Sequence, residues 1–219
     1  SGIMIETLNG DNNVINNTIE YNSYGVYLSY GESNKFINNT ISYSSSHGFD
    51  IFSSNNLFKN NVIRNNQGRG VYLRAGANFN TLEDNKIFKN FYGIETYECT
   101  GNNITGGSIH DNTHDYSIDL SSSSNTNFFK NTNFTDSRSI YIWDPFSWFF
   151  YSNETENEIW LKTKISTYSV IITRELVNWN KSLIKWNEYA DEETVARYNI
   201  SGLFPNKYYL VYNNSELTY

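Results

Sequence analysis

One cysteine, Cys99, stands among 219 residues, which excludes an internal disulfide and leaves a plain unpaired thiol as the expectation. The lone methionine, Met4, supplies no thioether cluster for a soft metal. Basic residues are few and scattered: 16 Lys and Arg stand against 23 Asp and Glu, the formal net charge is −7, and there is no basic run. Nucleic acid is therefore not an expected partner. No apolar stretch approaches the length needed to span a membrane. Alanine is scarce while Asn, Thr, Tyr and Ile dominate, a composition that gives helices little support and strands a good deal.

What the chain does have is a repeat of about 23 residues. A short apolar strand opened by a small residue recurs at Gly2, Gly25, Gly48, Gly70, Gly93, Ser117 and Ser139. Between these strands lies a second block, Asn-x-apolar-x-x-Asn-x-Ile, as in Asn34 to Ile41, whose last position reads Ile19, Ile41, Ile63, Ile87, Ile109, Phe134 and, after a longer gap, Ile165. A fixed period of this length with strand-sized apolar runs predicts a β-solenoid, in which equivalent residues stack about 4.8 Å apart in columns. The first inward column is expected to be Ile3, Val26, Phe49, Val71, Ile94, Ile118 and Ile140, and the second Ile5, Leu28, Ile51, Leu73, Thr96, Leu120 and Ile142. Two asparagine columns follow. One is Asn12, Asn34, Asn56, Asn80, Asn102 and Asn127; the other is Asn17, Asn39, Asn61 and Asn85, broken at Gly107, Thr132 and Thr163. Stacked amides can bond to their neighbours above and below while supporting tight bends, so the Asn excess reads as structural.

The Gly-apolar-x-apolar strand alternating with Asn-Asn-x-Ile resembles the right-handed parallel β-helix repeats of the pectin-lyase-like superfamily, over residues 1 to about 165. The resemblance implies an all-β fold with about seven coils. It leaves function open, because such repeats serve lyases, glycosidases, copper-associated proteins, phage tailspikes and surface proteins alike. After Ile142 the register loosens, and the aromatic insertion Trp143 to Tyr151 is expected to fold over the last apolar layer as a cap; an exposed patch for docking is the other reading. Residues 166–219 are expected to form a small, incomplete β-sandwich-like domain with strands Tyr168 to Ile172, Leu183 to Trp186, Thr194 to Ile200 and Lys207 to Tyr212. The run from Arg197 to Tyr212, with its Gly-Leu-x-Pro-Asn corner, resembles a fragment of a fibronectin type III sandwich. Ser1 opens within a coil and Tyr219 within a strand, so an excerpt of a longer chain, completed by other copies or other chains, is expected.

Chemistry would sit on the outer face of the first strand. Its outward lanes read Met4, Tyr27, Asp50, Tyr72, Glu95, Asp119 and Tyr141, then Glu6, Ser29, Phe52, Arg74, Tyr97, Ser121 and Trp143. Rings offer flat surfaces to sugar faces, and carboxylates and Arg offer directional partners to hydroxyls, so Tyr27, Tyr72, Arg74, Glu95, Tyr97 and Asp119 are candidate glycan-binding residues. Asp50, Glu95 and Asp119 are candidate catalytic acids for a glycosidase, Glu95 and Asp119 being placed on successive coils. The lyase branch of the superfamily combines acids on Ca²⁺ with a basic residue, a place only Arg69 or Arg74 could fill. His110 and His114, with His47, have the wrong separation for one metal ridge in a solenoid, so no metal and no cofactor is expected. Asn-x-Ser/Thr sequons occur at Asn16, Asn38, Asn103, Asn133, Asn153, Asn180, Asn199 and Asn213, a density that suits an exported glycoprotein. The expectation is a structural or adhesive module at the cell surface or outside the cell, in a surface layer, sheath or filament, self-associating or joined to other surface chains and able to bind glycans; the alternative is a glycoside hydrolase or polysaccharide lyase.

Overall fold

The structure, a computed structural model, describes residues 1–6, 10–119, 126–133, 137–153, 159–205, 211–213 and 216–218. Its elements are all strands, most of them three residues long, wound into a right-handed β-solenoid of about six turns with three parallel sheets. The first sheet starts at Ile3–Ile5 and Val26–Leu28, the second at Asn13–Ile15 and Lys35–Ile37, and the third at Thr18–Glu20 and Thr40–Ser42. Parallel strands this short hold because the inner ones are paired on both sides by the coils above and below, and because each sheet sends at least one column of side chains into a shared interior. In the first sheet those are Val26, Phe49, Val71 and Ile94; in the second Phe36, Phe58, Leu82, Ile104 and Phe129; in the third Ile41, Ile63, Ile87 and Ile109, all essentially buried. Phe36 and Phe58 stack at 5.1 Å, with Phe49 edge-on to both.

Bending the chain three times per turn leaves backbone groups to satisfy, and the asparagines do this. At each corner a residue of positive φ (Asn38, Asn60 and Asp84, for example) precedes an inward amide. Asn34 Nδ2 donates to Asn56 Oδ1 at 2.9 Å and Asn56 to Asn80 at 3.1 Å, while the backbone N–H of each also donates to that same oxygen on the next coil. The second ladder runs likewise through Asn39, Asn61 and Asn85 at 3.0 and 2.9 Å. A third ladder, which the expected columns lack, runs through Asn66, Asn90 and Asn112 at 2.9 and 3.0 Å, with Ser44 donating its N–H to Asn66. Asp115 ends it, its Oδ1 accepting from both the backbone and the side chain of Asn112. The glycine column lies where the third-sheet isoleucines press on the first sheet: a Cβ on Gly70 would stand 2.7 Å from the Gly93 carbonyl and from Ile87 Cγ2.

The expected register fails by two residues on the sixth coil. Ile94 is paired with Tyr116 and Thr96 with Ile118, so Asp115, not Ser117, continues the glycine column, and Ile118 belongs to the second inward column. Tyr116 takes the interior place, fully buried against Phe129 and Phe149, its hydroxyl 2.8 Å from Thr132 Oγ1. Phe49, three coils below, already places a ring in this column, with Val71 and Ile94 between the two. Leu120, Ser121 and Phe134, assigned to columns or lanes above, lie outside the described residues.

The aromatic insertion is not a lid. Phe149–Ser152 adds one more parallel strand to the second sheet, with Phe149 and Tyr151 inward and Phe150 outward. Beyond it the direction reverses: Trp160–Lys164 pairs antiparallel with that strand, and Val170–Asn180 pairs antiparallel with Arg138–Ile142. Leu183–Ala190 and Arg197–Ser201 extend these two sheets further. The strands on both sides of residue 165 thus share the first and second sheets, which face each other as two layers, and the fragment from Arg197 begins as a strand of the second sheet. A buried ion pair is part of what covers the apolar layer at this end: Arg174, without solvent exposure, holds Glu188 and Thr163 Oγ1 and lies over the Phe149 ring, while Leu176 and Trp179 pack against the same core.

Candidate functional site

On the outer face of the first sheet the residue type changes from coil to coil. Three lanes run up it: Tyr24, His47, Arg69, Tyr92 and His114; then Met4, Tyr27, Asp50, Tyr72, Glu95, Ser117 and Tyr141; then Glu6, Ser29, Phe52, Arg74, Tyr97, Asp119 and Trp143. The first of these lanes stands just before the glycine column, with His114 as its member on the sixth coil.

At the centre Tyr72 lies between two guanidinium groups, Arg74 at 4.3 Å and Arg69 at 4.5 Å from its ring centre. Each arginine then reaches an acid on a neighbouring coil in a two-point pair. Arg74 donates to Asp50 at 2.6 and 3.2 Å, and Arg69 to Glu95 at 3.1 and 3.1 Å. Asp50 and Glu95 are almost fully covered, at 1 % and 3 % exposure, and Tyr72 at 8 %. Burial pushes the Asp50 carboxyl upward against the opposing pull of Arg74, and burial likewise raises the Tyr72 phenol to about 12. His47, set edge-on to Tyr24 and Tyr72, is lowered to about 4, first by burial and then by the two arginines. It is a neutral imidazole at ordinary pH.

Around this charged centre the rings form a belt. Tyr24 meets Tyr27 at 5.9 Å and Tyr27 meets Phe52 at 5.6 Å on one side. On the other, Arg69 covers Tyr92 at 5.3 Å, Tyr92 stacks on His114 at 5.2 Å, His114 meets Tyr141 at 5.3 Å, and Tyr141 meets Trp143 at 4.6 Å. Trp143 Nε1 is anchored on Ser117 Oγ at 2.9 Å. Tyr24, Tyr27, Phe52, Tyr97, Tyr141 and Trp143 keep part of their rings in solvent.

The register correction changes the candidate acids. Glu95 faces Ser117, and Asp119 faces Tyr97, so Glu95 and Asp119 are diagonal across lanes and not the direct neighbours expected above. Asp50 and Glu95 flank Tyr72 from the coils on either side, two coils or about 9.6 Å from each other along the axis, but each carboxylate is held by an arginine. Tyr27, Tyr72, Arg74, Glu95 and Tyr97 do share one face with Asp119. Tyr72 and Glu95 lie beneath the arginines, which leaves the belt's outer rings and the guanidinium edges as the accessible groups. The face is sheet-flat; the described depressions of about 270 and 290 Å³ lie elsewhere, one beside Thr173, Glu175 and Tyr189, the other beside Asn103, Phe128 and Trp160.

His110 stacks on Phe88 on the third sheet, and His114 stands on the first, so the two do not meet. Among the described residues no three His, Cys, Asp or Glu side chains are grouped so as to hold a metal ion. Cys99 is buried, its thiol pushed up to about 12 by burial. Of the sequon asparagines, Asn16, Asn38, Asn103, Asn133, Asn153, Asn180 and Asn199 are exposed, in contrast to the buried ladder amides; Asn213 belongs to the strand Val211–Asn213, and its side chain lies outside the description. No helix is long and apolar enough to cross a membrane among the described residues.

The model of the family described as right handed beta helix region matches residues 1–157, and the chain belongs to that family. No curated protein and no solved structure matches it.

Proposed function

We propose that this member of the right-handed β-helix family is a carbohydrate-binding structural module, of pectin-lyase-like descent, carried on an extracellular or cell-surface protein and serving adhesion in a surface layer, sheath or filament. The observation that carries the reading is the belt from Tyr24 to Trp143: half-exposed rings, spaced by the rungs of a stiff solenoid, with guanidinium edges between them. A sugar ring presents an apolar face to stack on such rings and hydroxyls to meet an arginine edge. The coil spacing of about 4.8 Å repeats along the axis, which matches an extended polymer lying along the belt better than a single small molecule in a pocket.

The arginine pairs argue against hydrolysis on this face. A glycosidase needs one carboxyl free to donate a proton and another free to attack or to activate water. Here the Asp50 and Glu95 oxygens are engaged by Arg74 and Arg69, and both acids lie under the surface. Self-association with copies or other surface chains belongs to the same reading, and the exposed sequon asparagines suit an exported glycoprotein.

The test is a polysaccharide panel, acidic and neutral, scored both for retention by the protein and for release of new reducing or unsaturated ends. Retention lost in Tyr27→Ala and Trp143→Ala without any released ends is the expected result. Product formation abolished by Asp50→Asn or Glu95→Gln would replace the module with a glycoside hydrolase or polysaccharide lyase.

A further inference from the structure

On the outer face of the second sheet, away from the belt, Asn103 opens the strand Asn103–Thr105 and is exposed. It is the asparagine of an Asn-x-Thr sequon, and the Thr105 hydroxyl donates to Asn103 Oδ1 at 3.0 Å, which turns the amide nitrogen away from the hydroxyl. On the next coil Phe128 stands directly opposite Asn103, and Lys130 opposite Thr105. Trp160 meets the Phe128 ring edge-on at 5.4 Å, and Phe150 meets it from the following coil at 5.9 Å. Asn103, Phe128, Lys130 and Trp160 together line a depression of about 290 Å³.

We infer that Asn103 is an N-glycosylation site whose first sugar seats on the shelf made by Phe128 and Trp160. The chemistry is a glycosyl transfer from an activated glycosyl phosphate. Asn103 Nδ2 loses one hydrogen as a proton and bonds to the sugar C1, while the C1–O bond to the donor's phosphate breaks and the phosphate leaves with its electron pair. The attached ring then has an apolar face to lay on Phe128 and Trp160, and Lys130 beside it to reach a ring or substituent oxygen. The shelf sets two large rings partly in solvent on an outer face that carries Lys35, Lys59 and Glu83 as well as Ile37 and Leu57. This inference rests on the exported reading above but not on the belt.

Glycopeptide mass spectrometry of the protein from its own cells should find a hexose- or hexosamine-linked Asn103. A bare Asn103 beside occupied sequons elsewhere overturns the inference alone; eight bare sequons overturn it together with the exported reading. Seating is read by melting temperature. In the glycosylated protein Thr105→Ala, which removes the sequon, should lower Tm by roughly 2–4 °C, and this loss should vanish in a Trp160→Ala background. In protein made without glycosylation the same Thr105→Ala should leave Tm unchanged, as should Asn199→Gln, at an exposed sequon on the strand Arg197–Ser201, in the glycosylated protein. A Thr105→Ala effect of equal size with and without the sugar, or one indifferent to Trp160, would show that the shelf holds no glycan.

Discussion

The inner corners of this solenoid and the outer face of its first sheet climb the same coils, yet one is written mainly in a single residue type and the other in nine. A corner amide must accept from the coil below and donate to the coil above, so the same side chain is required at every step, and Asn recurs. The outer face carries no such constraint from coil to coil. Its side chains pair diagonally, Arg74 downward to Asp50 and Arg69 upward to Glu95, and each contact is made once. Periodicity therefore marks what holds the rod together, and the face proposed to meet a ligand is free of it.

The comparison breaks most sharply if a corner amide is removed. Asn61→Ala takes the acceptor from the Asn39 backbone and the donor from the Phe36 carbonyl, both buried. With each orphaned buried group costing about 1–3 kcal/mol, a loss of about 2–4 kcal/mol in denaturant unfolding is expected. A midpoint equal to that of the parent would mean that the ladders are ornament.

On the face, Arg74→Leu strips the counter-charge from a carboxylate at 1 % exposure. Because the guanidinium itself is partly in solvent, the cost at pH 7 should be smaller than for a fully enclosed pair, about 1–3 kcal/mol. Asp50 already titrates above its ordinary value, and losing Arg74 raises it further, so the penalty should shrink as acid protonates it. A penalty that does not change between pH 7 and pH 4 would count against the pair.

His47 gives a slower dependence. Its folded value of about 4 lies below the usual 6.5, so the fold favours the neutral ring. The stability tied to that neutrality is whole above pH 6.5, falls as the pH drops towards 4, and is gone below it. His47→Gln should flatten that part of the stability curve, visible as a difference in urea midpoints across this window. Smallest of all, Tyr21→Ser, at a corner where Tyr21 is 76 % exposed and stacked only on Tyr43, should change stability by less than about 0.5 kcal/mol.

Much of the rod is legible in the sequence because stacking forces like onto like: through the fifth coil the glycine column, the two inward apolar columns and two amide ladders stand where their spacing puts them. The third ladder has the same spacing, Asn22, Asn66, Asn90 and Asn112, but Ser44 interrupts it and no fixed apolar residue follows to flag it. The two-residue error at Tyr116 has a different origin. The column already holds the Phe49 ring among Val and Ile, so a tyrosine fits it as well, and the nearby Ser117 passes for the small residue. That slip also made Glu95 and Asp119 look like a pair. The face was legible only as a list of types. Which acid meets which arginine depends on diagonal reach across coils, and no periodic pattern carries that. The Arg174–Glu188 closure lies beyond the repeat, where chain reversal brings together residues that no spacing connects.

The central claim is that ligand is met on the aperiodic face by rings and not by free acids. Titrating isotope-labelled protein with the best-retained oligosaccharide and following side-chain NMR signals tests it directly. The account predicts shifts confined to Tyr24, Tyr27, Tyr141 and the Trp143 indole, with the oligosaccharide intact at the end of the titration. Shifts centred on another surface, or an oligosaccharide cut during the experiment, would contradict it.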